Sequence, residues 1–369
     1  MKIAVSADCF AAFTSGFPVR GMMLELIRKN PEIEFLLYYT KRKWPAALHN
    51  FYNEINSLPN VEIRFFKDNQ KVIAIKRLLC LKYLKCDPDV DLFMSPGNPE
   101  FIKGFHGPTI CSLADLSTIK GISTNKYALF FKYWTKYQWK VILPKISRIV
   151  TISDYTGKDV SEYFPSVKNQ IVTIHNGIDN FWFKSNNSLT SYADRFGLKG
   201  DYFIWWGLIS RRKNIARLIE AYKIAKSKHN NLPKLLLVGS LAEHMENLRN
   251  EFCDDIINIG FQNQEILKSL VSKSRGLIFP SLYEGFGLPV VEAFSQGINV
   301  ACSNITSLPE VAGGNAILFD PMSIDSIADA IIKLAKKPRD SENLKNYAKN
   351  YTYSEAAKNY LKIIHELVQ

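Results

Sequence analysis

The sequence predicts an α/β protein built from two parallel-sheet domains. Two observations carry that expectation. Short apolar runs alternate with longer amphipathic segments, and the alternation restarts after a polar, Asn/Ser-rich stretch at 180–200. At 369 residues the chain is also too long for one small core. The expected division is 1–180, 195–350 and a terminal helix over 351–369.

The elements follow in order. "KIAVSAD" (2–8) is a buried-strand pattern, and "VRGMMLELIRKN" (19–30) has helical spacing. Further strands are expected at 34–40, 61–66, 91–96, 108–115 and 148–153. After the polar stretch come a strand "DYFIWWG" (201–207) and a helix "NIARLIEAYKIAKSKH" (214–229). Strands at 234–239, 255–260, 276–281 and 299–304 complete the second set. Ligands of open α/β sheets bind beyond the C-terminal ends of strands. In two such domains those ends are expected to face each other across a cleft. The loops that matter are then 8–18, 95–99, 113–118, 207–213, 239–241, 260–264 and 281–288.

Composition narrows the function. A hydrophobic content of 47% with 22% charged residues is that of a globular chain and argues against disorder. The net charge is +12, of which +8 falls in residues 1–180. Such a surface attracts phosphorylated substrates or anionic lipid. No nucleic-acid-binding module is visible. The six cysteines form no C-x-x-C pair, which argues against zinc and against a disulfide framework. The opening "MKIAVSADCF" reads as a strand rather than a secretory leader, and no run of eighteen apolar residues occurs. A cytoplasmic protein is expected.

The densest chemistry lies in "SLYEGFGLPVVEAFSQG" (281–297). A strand, "GLIFPS", runs into a glycine loop and then a helix. Pro289 suits the helix start, where its missing N–H costs nothing, and Gly297 suits the helix end. A helix N-terminus offers free N–H groups and partial positive charge to phosphate. Gly285 and Gly287 let backbone approach a ligand closely. Glu284 and Glu292 stand at the two edges with seven residues between them. Taken alone, Glu292 would be a charge favourable to the helix dipole and Glu284 a solvated loop residue.

Taken together with "SLPEVAGGNAILFDP" (307–321), the stretch resembles the signature of the retaining nucleotide-sugar glycosyltransferases of group 1 (family four). "SRIVTISDYTGKDVSEYF" (147–164), "IVTIHNGID" (171–179) and "GLISRRKNIARLIEAY" (207–222) look like the same family. The resemblance covers roughly 148–365 closely and 1–147 in pattern only. It implies the GT-B fold, two Rossmann-like domains facing across a cleft. The N-terminal domain would bind the acceptor and the C-terminal domain the nucleotide sugar, and the last helix would cross back to the N-terminal domain.

The resemblance also implies roles. Glu284 would contact the transferred sugar and Glu292 the ribose hydroxyls. The backbone of Gly285, Phe286, Gly287 and Leu288 would border sugar and diphosphate. Arg212 and Lys213 match the basic pair on the diphosphate, whose negative charge grows as the sugar–phosphate bond breaks. "SRRKN" would otherwise start a helix with cations against its dipole, an unfavourable placement without an anion. Gly16 corresponds loosely to the family's glycine loop, and without G-x-G-x-x-G a nicotinamide enzyme is not expected. Asp115 would contact acceptor or sugar. Many relatives carry His-Asp-Leu there; this chain has Ala114-Asp115-Leu116. The remaining histidines do not obviously replace the missing one.

Two further stretches carry marked charge patterns. "CDPDVD" resembles a metal-binding D-x-D, but Asp87, Asp89 and Asp91 read better as a solvated turn entering a strand. No metal and no cofactor are expected, with cationic side chains neutralising the diphosphate. Residues 120–148 hold seven Lys/Arg, no acid and seven aromatics. That composition suits an anionic membrane surface, and equally a helix with its aromatics in the core.

The expected function is therefore a retaining hexosyltransferase. It would move a hexose, mannose from GDP-mannose as first guess, onto a glycan or lipid-linked oligosaccharide. The "EGFGLPVVEA" and "RRKN" variants look most like bacterial mannosyltransferases of surface polysaccharide synthesis. The alternatives are a GT-B epimerase or hydrolase, or an inactive sugar-nucleotide-binding subunit.

Overall fold

The computed structural model describes residues 1–11, 17–40, 45–66, 72–73, 75–76, 85–100, 102, 105–122, 128–184, 196, 198 and 201–369. Gly16 and most of 185–200 lie outside the described residues. The chain divides into two compact units, Met1–Gly177 with Thr352–Gln369, and Ile178–Tyr351.

The first unit is a seven-stranded sheet. Its strands are β1 (Lys2–Ser6), β2 (Glu34–Tyr39), β3 (Val61–Phe65), β4 (Leu92–Ser95), β5 (Thr109–Leu113), β6 (Arg148–Thr151) and β7 (Ile171–Thr173). Their order is β3-β2-β1-β4-β5-β6-β7 and every pairing is parallel. Successive strand side chains alternate between two cores. Ile3, Val5, Phe35 and Leu37 enter one, while Ala4, Leu36, Tyr38 and Phe93 enter the other. A sheet covered on both faces explains why its strands read as continuous apolar runs. The helix Tyr353–Val368 belongs to this unit. It places Ala356, Tyr360, Ile363 and Ile364 in the first core, and the Tyr360 hydroxyl meets the Ser112 hydroxyl at 2.6 Å. Thr352 caps its start by accepting from the Glu355 N–H.

The second unit repeats the plan with six strands. These are β8 (Tyr202–Trp206), β9 (Lys234–Val238), β10 (Ile256–Asn258), β11 (Gly276–Phe279), β12 (Val300–Ser303) and β13 (Ile317–Phe319). Their order is β10-β9-β8-β11-β12-β13, again all parallel. The order reverses between β8 and β11. A crevice opens at such a switch point, so the loops after β8 and β11 are the ones placed to hold a ligand.

Three sequence expectations need correction. The strands β7 and β13 were not expected; each spans three residues, too short for a clear periodic signal. The expected linker begins too early. Asn180–Phe183 forms a 3-10 turn of the second unit, with Trp182 buried and stacked on Trp206 at 6.3 Å. An aromatic-rich segment can recover by burial what its polar neighbours lack. Finally, the helix after β8 starts at Ile215, so Arg212 and Lys213 precede it on a separate turn, Arg211–Lys213.

The ends of β8 and β9 approach each other closely. A Cβ on Gly239, whose φ is +153°, would lie 1.8 Å from the Gly207 carbonyl oxygen. Because the obstacle is backbone, Gly239→Ala is expected to cost about 2–4 kcal/mol, read as a lower urea midpoint with an unchanged m-value.

Candidate functional site

The loops at the β8/β11 switch point bring Arg212, Lys213 and Glu284 together. The Lys213 ammonium lies 2.5 Å from Glu284 Oε1, and Arg212 Nη1 lies 3.1 Å from Glu284 Oε2. Arg212 also donates to the Tyr283 carbonyl at 2.7 Å, and Lys213 sits 4.9 Å from the Phe279 ring centroid. The backbone ties the two loops, since the Leu282 N–H donates to the Arg212 carbonyl.

The turn carrying the cations is held by Asn214. Its φ is +61°, a left-handed conformation that Asn tolerates better than most residues. Its buried side chain donates to the Pro280 and Pro321 carbonyls at 3.2 and 2.8 Å. The glycine loop is held from the other side by Ser307. That fully buried hydroxyl lies 3.0 Å from the Glu284 carbonyl and 2.8 Å from the Phe286 carbonyl. Neither residue was singled out from the sequence. Asn214 stood in the quoted "RRKN" and Ser307 in "SLPE", but their role is to bond carbonyls that only the fold brings near.

The electrostatics of the trio are uneven. Two cations share one carboxylate, which leaves one positive charge in excess. Burial disfavours the ionised Glu284, but the Lys213 and Arg212 charges outweigh it and hold the carboxyl below its ordinary value. Burial pushes the Lys213 ammonium down, helped by Arg212 and opposed by Glu284. An excess cation here, at a helix start, suits an anion. The sequence assigned Glu284 to the sugar; here its two oxygens face the two cations.

Past the loop, Gly287 adopts φ +110° and caps the helix Leu288–Ser295. A Cβ there would lie 2.6 Å from Leu308 Cδ2. Pro289 falls within the first two helical positions, where no N–H partner is needed. Phe286 is buried against Tyr351, with ring centroids 5.7 Å apart, so its side chain packs the loop in place.

Glu292, one turn into the helix, accepts a hydrogen bond from the Trp206 indole N–H at 3.0 Å. Burial pushes its carboxyl up to about 7, with the Trp206 bond opposing and Asp179 adding to the rise. Trp206 ends β8 and is itself clamped by Trp182, whose carbonyl accepts from the Gln296 side chain. Trp206 therefore fixes where the Glu292 carboxylate points. Its position in a loop-facing "WWG" was the available signal.

In the first unit, Ala114 and Asp115 border a cavity of about 430 Å³. Asp115 Oδ1 accepts from the Ser117 N–H at 2.7 Å and so supports the short helix Ser117–Lys120. His175 lines the same cavity, 61 positions further along the chain than Ala114. Tyr360 of the terminal helix completes the wall. The acids of "CDPDVD" are elsewhere, at the entrance to β4. Asp89 pairs with Lys2 at 2.6 Å, Asp91 accepts from the Lys2 N–H, and Asp87 lies 3.3 Å from Arg64. The five described cysteines are free.

Comparison with known proteins agrees with this geometry. Residues 193–351 match the family model of glycosyl transferases group 1. The O-antigen chain mannosyltransferase B of Escherichia coli is 31% identical over 192 residues, covering 50% of each chain. The serotype-specific mannosyltransferase WbdA of the same organism is 29% identical over 210 residues, 54% of this chain and 26% of that one. The matched region thus spans half or less of these relatives. Among solved structures, Anabaena Alr3699/HepE in complex with UDP and glucose aligns over 100% of both chains with TM-score 0.67 at 14% identity. Sucrose-phosphate synthase from Thermosynechococcus elongatus aligns over 99% of this chain and 98% of its own, with TM-score 0.69 at 15% identity. Such low identities speak for the fold alone. The chain thus has the two-sheet GT-B architecture of these solved structures, and the part of it that carries the site, residues 193–351, is similar to the glycosyl transferases of group 1.

Proposed function

We propose that the protein is a retaining glycosyltransferase using a nucleoside diphosphate hexose. One observation carries the reading: the Arg212–Lys213–Glu284 trio, with Lys213 and Glu284 largely buried and one positive charge in excess, sits at the switch point beside the glycine-capped helix that bears Glu292. The diphosphate lies against Arg212, Lys213 and the loop N–H groups of 285–288. The ribose hydroxyls donate to Glu292. When the sugar–phosphate bond breaks, both electrons stay with the phosphate, and the fixed cations stabilise the charge that develops there. The acceptor hydroxyl attacks from the same face, its proton passing to the leaving phosphate, and configuration is retained. Glu284 holds the cations in place and contacts the sugar at the reacting end. The side chains supply the charge neutralisation, and no metal is required.

Mannose from GDP-mannose is the proposed donor, supported by relatives named as mannosyltransferases. The acceptor is proposed to be a lipid-linked glycan at the cytoplasmic face of a membrane, bound by the first unit near Asp115. No helix among the described residues is long and apolar enough to cross a membrane. Ala114 in place of the family histidine favours a second reading, a subunit that binds donor without transferring it. Incubation with GDP-mannose and with UDP-, dTDP- and ADP-sugars separates them. Acceptor-dependent release of nucleoside diphosphate with α product supports transfer. Binding without turnover supports the second reading, and turnover of donor without acceptor, by release or by epimerisation, supports a hydrolase or epimerase.

Glu292 adds a pH signature. Ribose hydroxyls donate to the ionised carboxylate, whose pKa is about 7 in the free protein. Donor affinity is expected to rise with pH from about 5 to above 7 and then level off, with a proton released on binding. Folded-state stability runs the other way, falling as pH rises from the ordinary carboxylate value through about 7, because the folded state holds the proton more tightly. Calorimetry in buffers of different ionisation enthalpy reads the proton directly. Trp206→Phe keeps the ring and removes the N–H, so it should move the affinity profile to higher pH while leaving the turnover rate of bound donor unchanged.

A further inference from the structure

The helix Ala128–Ile142 anchors itself by Trp139 and Ile142, which are buried. Its opposite side is apolar and open. Leu129 is 67% exposed, Phe130 54%, Tyr133 63% and Tyr137 54%. Leu129, Phe130, Tyr133 and Trp134 line one shallow hollow, with Phe130 and Trp134 stacked at 6.2 Å. At 100° per residue these positions form one stripe. Lys136 and Lys140, both exposed, run along a border of that stripe, with Lys132 beside them. The helix carries no acid. The sequence allowed its aromatics to be core; only Trp139 among them is buried.

We propose that this face docks on an anionic lipid bilayer, the helix lying in the plane of the headgroups. The aromatics would enter the interface, where amphipathic rings are favoured, and the lysines would meet the lipid phosphates. A second copy of the chain fits poorly, because its lysines would be brought against these lysines with no acid on the helix to answer them. The inference concerns the first unit alone and does not depend on the donor chemistry.

The test is co-sedimentation of the full chain with phosphatidylcholine vesicles and with vesicles that also contain phosphatidylglycerol. Binding is expected to the anionic vesicles, to weaken with salt, and to weaken about 30-fold in Lys136→Gln/Lys140→Gln, since each lysine near the surface contributes roughly fivefold. Phe130→Ser/Tyr133→Ser should lose binding at every salt concentration. The four substituted positions are all exposed, and an unchanged thermal transition would show that the variants fold. Equal binding to neutral vesicles, or anionic binding unaffected by either variant, would overturn the proposal. So would a dimer by light scattering that dissociates in Phe130→Ser/Tyr133→Ser, which would assign the face to a second copy.

Discussion

Lys213→Met is expected to lower the rate of sugar transfer by about 10²–10³-fold, the usual cost of losing one fixed charge that meets the transition state. The ammonium is nearly buried, 2.5 Å from Glu284 Oε1, while Arg212 lies on the other oxygen. The loss should fall on kcat more than on KM, because charge on the leaving phosphate grows only as the bond breaks. Stability should change little. Glu284 keeps Arg212 at 3.1 Å, and methionine fills the space beside the Phe279 ring. Steady-state kinetics with a fixed acceptor, beside a thermal melt, measures both. A variant as active as the parent would remove Lys213 from the mechanism.

Glu284→Gln should harm the fold as well as the reaction. It leaves the largely buried Lys213 and the partly exposed Arg212 facing each other with their shared counter-ion gone. Breaking a buried pair in this way costs about 3–5 kcal/mol, or roughly 10 °C in Tm for a unit of this size. The loss should shrink as pH rises, since Lys213 is already pushed toward its neutral form and a released proton relieves the repulsion. It should also shrink when diphosphate is added, because the anion takes the place of the lost charge. A melting temperature unaffected by both pH and diphosphate would show that the trio is not the charge-balanced unit described.

The fold was legible because its strands are buried on both faces and read as unbroken apolar runs. "FIWWG" and "GLIFPS" could hardly be anything else between polar loops. β7 and β13 escaped because three residues carry no period. The glutamates and the basic pair were legible by spacing and by resemblance. Their mutual contact was not, since Lys213 and Glu284 lie 71 positions apart and meet only once β8 and β11 pair. The resemblance assigned Glu284 to sugar, whereas its geometry makes it the counter-ion of Arg212 and Lys213. Trp206, Asn214 and Ser307 stayed hidden for a common reason. Each acts through a hydrogen bond to a partner distant in sequence, and nothing in local pattern marks such a bond.

In the proposed reading the second unit grips a nucleoside diphosphate at two points, ribose at Glu292 and diphosphate at Arg212 and Lys213. Calorimetric titration of the protein with the matched diphosphate and monophosphate of each base tests it most directly, repeated on Arg212→Ala/Lys213→Met. The account expects one diphosphate to bind at least tenfold more tightly than its monophosphate, and the double variant to erase that preference while still binding the monophosphate. Equal affinity for the two in the parent protein, or a preference that survives in the double variant, would contradict it.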